Sequence, residues 1–179
     1  MKKIILITGG QRSGKSQQAE RLALSLSESP IYMATAHIWD EEFLRRVRKH
    51  QARRGPQWTN IEEERFLSRH DVTGRVVVID CITLWCTNFF FDSNKSEHEQ
   101  PTVDDALSAL QVEFEKFTSQ DAIFIFVTNE IGSGGVSTDA VQRRFTDLQG
   151  WMNQYVAARA DEVILMVSGI PVKVKPNEK

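Results

Sequence analysis

An α/β fold with a mostly parallel sheet is predicted by three observations. Apolar runs recur at regular intervals along the 179-residue chain, segments of helical period separate them, and several runs are continuous rather than alternating. Val76-Val77-Val78-Ile79 and Ile123-Phe124-Ile125-Phe126-Val127 are of the continuous kind, as strands covered on both faces must be. The length suits one core of ordinary size, so a single domain over residues 1–179 is expected.

The elements follow in order. Lys3 to Thr8 opens as a strand, because its apolar part, Ile4 to Ile7, is shorter than the roughly 7 to 15 residues of a signal-peptide core. Ala19, Leu22, Ala23 and Leu26 share one face of a helix over Gln17 to Ser27. A strand over Ile31 to Thr35 comes next. Asp40 to Arg54 opens with acids and continues with bases, which suits the helix dipole, and it sets Glu41 with Arg45 and Glu42 with Arg46 one turn apart. Arg75 to Asp80 is the third strand and Ile82 to Phe89 a helix. Asp92 to Thr102 has no large apolar residue and reads as a solvated loop.

In the last third, Leu107, Leu110 and Phe114 mark a helix over Asp104 to Phe117, and Ala122 to Thr128 is a strand. Val141, Phe145, Leu148, Met152 and Tyr155 step by three and four through a helix over Thr138 to Ala160. Glu162 to Ser168 is a strand. Ile170 to Lys175 alternates Val172, Lys173, Val174 and Lys175 after Gly169 and Pro171, the pattern of a half-exposed antiparallel edge strand reached by a tight turn.

Composition narrows the partners. The 22 Lys and Arg against 24 Asp and Glu give a net charge of −2, without the basic excess of a nucleic-acid coat protein. The two cysteines, Cys81 and Cys86, lie in no zinc-ligand spacing, and reduced thiols fit a cytoplasmic protein. No apolar run approaches the roughly 18 residues of a membrane span, so the chain is expected not to be embedded in one.

The strongest signal is Gly9-Gly10-Gln11-Arg12-Ser13-Gly14-Lys15-Ser16, a complete G-x-x-x-x-G-K-S motif between a strand and a helix. From average residue usage it arises by chance in a chain this long on the order of 1% of the time. Glycines let the backbone turn its N–H groups onto phosphate oxygens, the helix N-terminus adds partial positive charge, Lys15 reaches the outer phosphates, and Ser16 is a ligand for Mg²⁺. A second acidic ligand usually ends another apolar strand, and Asp80 does so after Val76-Val77-Val78-Ile79. The alternative for Asp80 is to cap the helix that follows. Thr128-Asn129-Glu130 and Ser168-Gly169 end two other strands, where open α/β sheets collect ligands.

Arg45 to Arg54 holds six bases in ten residues. Helical spacing puts Phe43, Val47 and His50 on one face, so His50 points with the packing residues while cations flank it. Such surroundings disfavour the imidazolium and keep the ring nucleophilic, and the cations suit a triphosphate. A structural histidine on a solvated basic helix, or a helix that binds nucleic-acid phosphates, are the other readings.

Several separated pieces then coincide: Gly9 to Ser16, Ala34-Thr35-Ala36, His50 in its basic segment, Trp58 with Glu62, Asp80-Cys81-Ile82-Thr83 leading to Thr87-Asn88, Thr128-Asn129-Glu130 with Gly132 and Gly134, and Arg143-Arg144-Phe145 with Asp147, Gly150 and Asn153. In this order, from about Ile5 to Lys175, they closely resemble the bifunctional adenosylcobinamide kinase/adenosylcobinamide-phosphate guanylyltransferase family of cobalamin synthesis. The resemblance implies a P-loop NTPase (RecA-like) fold and a homotrimer. It implies phosphorylation of adenosylcobinamide by ATP or GTP with Mg²⁺, then transfer of GMP from GTP to adenosylcobinamide phosphate through a guanylylated histidine. Carried over by position, His50 is the GMP acceptor and Lys15 the P-loop lysine. The nucleotide site takes in Gly9, Gly10, Gln11, Arg12, Ser13, Gly14, Lys15, Ser16, Ala34, Thr35, Ala36, Gln51, Ala52, Arg53, Arg54, Glu62 and Asp80, with Ser16 and Asp80 toward the metal.

The sequence departs from the family pattern in three places. Gly55 separates Arg54 from Pro56, Asn60 stands where threonine is usual, and Gly135-Val136-Ser137 lacks a common proline. None removes a group the chemistry needs. Two other classes stand beside this one: a different P-loop small-molecule kinase, which forms no GMP adduct, and a nucleotide-regulated nucleic-acid binder using Arg45 to Arg54.

Overall fold

The structure is a computed structural model that describes residues 2–37, 41, 45, 54–91 and 100–176. Among the described residues seven strands form one sheet: β1 (Lys3–Gly9), β2 (Ile31–Ala34), β3 (Thr59–Glu62), β4 (Val76–Asp80), β5 (Ile123–Val127), β6 (Glu162–Val167) and β7 (Ile170–Lys175), in the order β3-β2-β4-β5-β1-β6-β7. All neighbours are parallel except β6 and β7, which form the expected antiparallel hairpin at the edge. Among the described residues the helices are α1 (Lys15–Leu26), α2 (Ile82–Phe90), α3 (Val103–Thr118) and α4 (Ala140–Arg159).

The continuous apolar runs are explained by two cores, one on each face of the sheet. Ile5, Ile7, Val76, Val78, Ile125 and Val127 face α1 through Ala19 and Ala23. Their chain neighbours Ile4, Leu6, Val77, Ile79, Phe124 and Phe126 face Trp85 of α2, Phe114 and Phe117 of α3, and Leu148 and Met152 of α4. Side chains alternate across a strand, so only a run apolar at every position feeds both layers. Each large side chain buried this way contributes roughly 1.5 to 3 kcal/mol.

Helix ends follow local chemistry. Thr102 and Asp105 form a capping box that starts α3, and Asp139 caps α4 by accepting from the Gln142 amide at 2.7 Å. α1 begins two residues before the Gln17 expected, because Gly14 at φ 94° turns the chain directly into the helix at Lys15. Glu41 and Arg45 are helical, as expected for that segment, whereas Arg54 lies outside a helix, just ahead of Gly55-Pro56. The rest of the basic segment, His50 included, and residues 92–99 of the polar interval lie outside the described residues.

One strand was not anticipated. β3 carries a single apolar residue, Ile61, and is exposed at Thr59, Asn60 and Glu62, so no hydrophobic pattern marks it. Its pairing with β2, Ile31↔Thr59 through Ala34↔Glu62, makes it a strand. No described helix is long and apolar enough to cross a membrane.

Candidate nucleotide site

The parallel register gathers the candidate residues at one end of the sheet. Glu62, Ala34, Asp80 and Val127 lie opposite one another across β3, β2, β4 and β5, and Val127 pairs with Ile7, two residues before the glycine loop. These are the carboxyl ends of parallel strands, where ligands of open α/β sheets bind.

The loop is shaped by left-handed backbone at Gly9 (φ 148°), Arg12 (φ 62°) and Gly14 (φ 94°). At Gly9 the requirement is steric as well, since a Cβ there stands 2.7 Å from the Met166 carbonyl oxygen. Neighbouring strands brace the loop from outside: the Glu130 amide donates to the Gly9 carbonyl at 3.0 Å, and the Gly169 amide of the β6–β7 turn donates to the Ser13 carbonyl at 3.0 Å. Successive amides in such a turn, together with the α1 N-terminus, make a cradle for anions. Ser13 Oγ is buried without a partner in the loop. Gly10, Gln11 and Arg12 are exposed and Ser16 is half-buried in the first turn of α1.

Lys15 is buried, and its Nζ donates to the Gly10 carbonyl at 2.6 Å. Burial lowers its pKa from the ordinary lysine value, against smaller opposing effects of Cys81 and then Asp80. The lysine is therefore held inside its own loop.

Asp80 ends β4, and the residue capping α2 is Cys81, whose side chain makes no cap bond. The capping alternative for Asp80 is thereby removed. Its Oδ2 accepts from the Tyr32 hydroxyl at 2.6 Å. Burial first, and the Asp80 carboxylate next, hold the Tyr32 pKa well above the ordinary tyrosine value, so the phenol stays a donor. Two oxygen donors, Ser16 and Asp80, fit Mg²⁺, which takes one or two protein ligands and completes its shell with phosphate oxygens and water. Among the described residues no three His, Cys, Asp or Glu side chains stand together to hold a metal unaided.

The other expected residues divide. Thr35 is fully buried: its hydroxyl donates to the Cys81 carbonyl and accepts from the Cys81 amide, both at 2.8 Å, so its side chain fixes the turn after Asp80. Ala34 and Ala36, both half-buried, flank it. Glu62 is exposed at the end of β3. Arg54 turns inward, with 3% of its side chain exposed and its Cζ 3.6 Å above the Tyr32 ring centroid. Its Nε donates to Asn60 Oδ1 at 2.7 Å and Nη1 lies 3.8 Å from Glu20 Oε1. His50, Gln51, Ala52 and Arg53 lie outside the described residues.

Polar residues at the end of β5 and on α2 and α4 join in one network. Thr83 Oγ1 accepts from the Asn129 amide at 3.0 Å, from Asn129 Nδ2 at 3.1 Å and from Gln149 Nε2 at 2.6 Å. The Asn129 carbonyl accepts from Gln149 Nε2 at 2.8 Å and Asn153 Nδ2 at 3.1 Å, and Thr128 donates to Asn153 Oδ1 at 2.7 Å. This network locks the end of β5 to α2 and α4. Asn88 Nδ2 donates to the Thr35 and Glu64 carbonyls at 2.7 and 2.8 Å, which ties β2 to the chain after β3. The signal available was polar residues on otherwise apolar helix faces.

Comparison with known proteins agrees with this geometry. A solved structure described as a prototypical ATPase from the type III secretion system of pathogenic bacteria covers 92% of this chain and 51% of that one, at 11% identity and a TM-score of 0.50, a likeness of fold alone. The bifunctional adenosylcobalamin biosynthesis protein CobP of Pseudomonas aeruginosa is 36% identical over 176 residues, covering 95% of this chain and 96% of that protein. The bifunctional adenosylcobalamin biosynthesis protein CobU of Escherichia coli is 36% identical over 181 residues, covering 96% and 99%. The family model for cobinamide kinase / cobinamide phosphate guanyltransferase matches residues 5–174, from the first strand to the last, and the chain belongs to that family.

Proposed function

We propose that this chain phosphorylates the aminopropanol hydroxyl of adenosylcobinamide with ATP or GTP, then transfers GMP from GTP to adenosylcobinamide phosphate through His50. The observation that supports the reading is the intact glycine loop, with Lys15 bonded to the Gly10 carbonyl and Asp80 at the end of β4, inside a chain that matches the family from residue 5 to residue 174.

In the first reaction the substrate oxygen attacks the γ-phosphorus, the bond to the bridging oxygen breaks, and the nucleoside diphosphate leaves. The loop amides and Lys15 hold the phosphates in line and meet the charge that develops on them. Mg²⁺, when bound by Ser16 and Asp80, would neutralise phosphate charge. In the second reaction an imidazole nitrogen of His50 attacks the α-phosphorus of GTP and pyrophosphate leaves. A phosphate oxygen of adenosylcobinamide phosphate then displaces the histidine, giving adenosylcobinamide-GDP. A covalent intermediate divides one hard displacement into two easier ones.

The nucleotide region of this reading comprises Gly9 to Ser16, Ala34 to Ala36, Gln51 to Arg54, Glu62 and Asp80, within one domain of a cytoplasmic homotrimer. The test is direct: purified protein is incubated with adenosylcobinamide, ATP, GTP and Mg²⁺, and the products are weighed by mass spectrometry. The reading expects adenosylcobinamide phosphate with ATP alone and adenosylcobinamide-GDP when GTP is added. Phosphate product without any GDP product would leave a kinase only.

A further inference from the structure

Among the described residues, Asp80 is held by a side chain of a neighbouring strand, Tyr32, and that side chain is itself clamped. Tyr32 is 4% exposed, and β2 and β4 run side by side, with Ala34 opposite Asp80. The phenol donates to Asp80 Oδ2 at 2.6 Å. Arg54 lies 3.6 Å over the ring centroid, and Trp58 meets the ring edge-on at 6.0 Å and 78°. Held on one face and at its edge, the ring has one heading for its hydroxyl.

We propose that Tyr32 is the positioning residue for Asp80, fixing the rotation of the carboxylate at which a divalent cation joins the nucleotide. The proposal rests on reading Asp80 as a metal ligand. A terminal carboxylate torsion is broad and nearly two-fold, so an untethered Asp samples many orientations. A hydrogen bond to Oδ2 selects one of them. The donor is a neutral phenol, so orienting the carboxylate adds no formal positive charge at Oδ2. Partners of this kind, which touch a ligand rather than the metal, typically change metal affinity by about 10- to 100-fold when removed.

Tyr32→Phe deletes the hydroxyl and keeps the ring that Arg54 and Trp58 hold. Free Mn²⁺ is followed by electron paramagnetic resonance as it is titrated into the protein bound to a non-hydrolysable GTP analogue. The expected result is roughly tenfold weaker Mn²⁺ binding in Tyr32→Phe, with nucleotide affinity in EDTA unchanged within about twofold of wild type. Asp80→Asn separates the two ideas. If Asp80→Asn binds Mn²⁺ like wild type, the reading of Asp80 as a ligand fails and takes this proposal with it. If Asp80→Asn loses Mn²⁺ while Tyr32→Phe binds it like wild type, the positioning role alone is overturned.

A second measurement needs no variant. The chain has two tyrosines, Tyr32 and Tyr155, so labelling their ring ζ-carbons with ¹³C gives two resonances. Adding Mg²⁺ to the nucleotide complex is expected to move the Tyr32 signal and leave Tyr155 in place. An unmoved Tyr32 signal would count against the hydroxyl sensing Asp80.

Discussion

The two sides of the proposed nucleotide region are built in opposite ways. On one side, eight consecutive residues, Gly9 to Ser16, form a cradle whose shape comes from their own backbone, with left-handed turns at Gly9, Arg12 and Gly14. On the other, Glu62, Ala34, Tyr32 and Asp80 meet only because β3, β2 and β4 lie in register, and the Tyr32 to Asp80 bond joins residues 48 positions apart. A loop formed by adjacent residues is assembled once its strand and helix are in place. A wall formed by three strands exists only when the sheet does. The first side is therefore sensitive to single atoms in the loop, and the second to the contacts that hold strands together.

The largest effect is expected at Lys15. Lys15→Ala should lower kcat for phosphoryl transfer by about 10²- to 10³-fold, measured by coupled assay, while thermal melting stays within a few degrees of wild type. Next comes Gly9→Ala, where the new Cβ meets the Met166 carbonyl at 2.7 Å and the backbone keeps φ 148°. A cost of about 2 to 3 kcal/mol in urea unfolding is expected, and nucleotide binding should fall with it. These two changes act on the contiguous side.

Asn88→Ala probes the assembled side. It leaves the Thr35 and Glu64 carbonyls without their amide donor, which should cost about 1 to 3 kcal/mol. Urea unfolding measures the cost, and a ratio of phosphoryl to guanylyl transfer shifted from wild type would show the loss reaching the site. The smallest effect belongs to a pair on neither side. Lys3 Nζ meets Glu162 Oε1 at 2.5 Å, with side chains 36% and 23% exposed, so Lys3→Ala should cost under about 1 kcal/mol. The hydrogen bond from Lys3 holds the Glu162 carboxyl below its ordinary pKa. Its stabilisation is present above the ordinary carboxylate value and fades as pH falls through the lowered one, so the gap between wild type and Lys3→Ala should close in acid.

The same contrast explains what could be read from the chain alone. The six anticipated strands were legible because two covered faces demand apolar residues at nearly every position of β4 and β5, and the glycine loop because its chemistry is contiguous. Asp80 was legible as the acid that ends an apolar run. β3 was not, since an exposed edge strand with only Ile61 to bury carries no period. Nor was the inward turn of Arg54, because an arginine in a basic run reads as solvated until Tyr32, Asn60 and Glu20 are brought around it. The Thr35 hydroxyl is held by the Cys81 backbone, a pairing visible only once β2 and β4 are neighbours. Side chains that act across strands have no signature in local sequence.

We propose that one chain runs two phosphorus chemistries with separate residues, Lys15 for phosphoryl transfer and His50 for the GMP intermediate. Incubation with GTP labelled at the α-phosphate tests it most directly, with protein-bound label read after acid and base treatment in wild type and His50→Ala. The expected result is a wild-type adduct that is stable to base and released by acid, and none in His50→Ala. An adduct of full yield in His50→Ala, or no adduct in the wild-type protein, would contradict it.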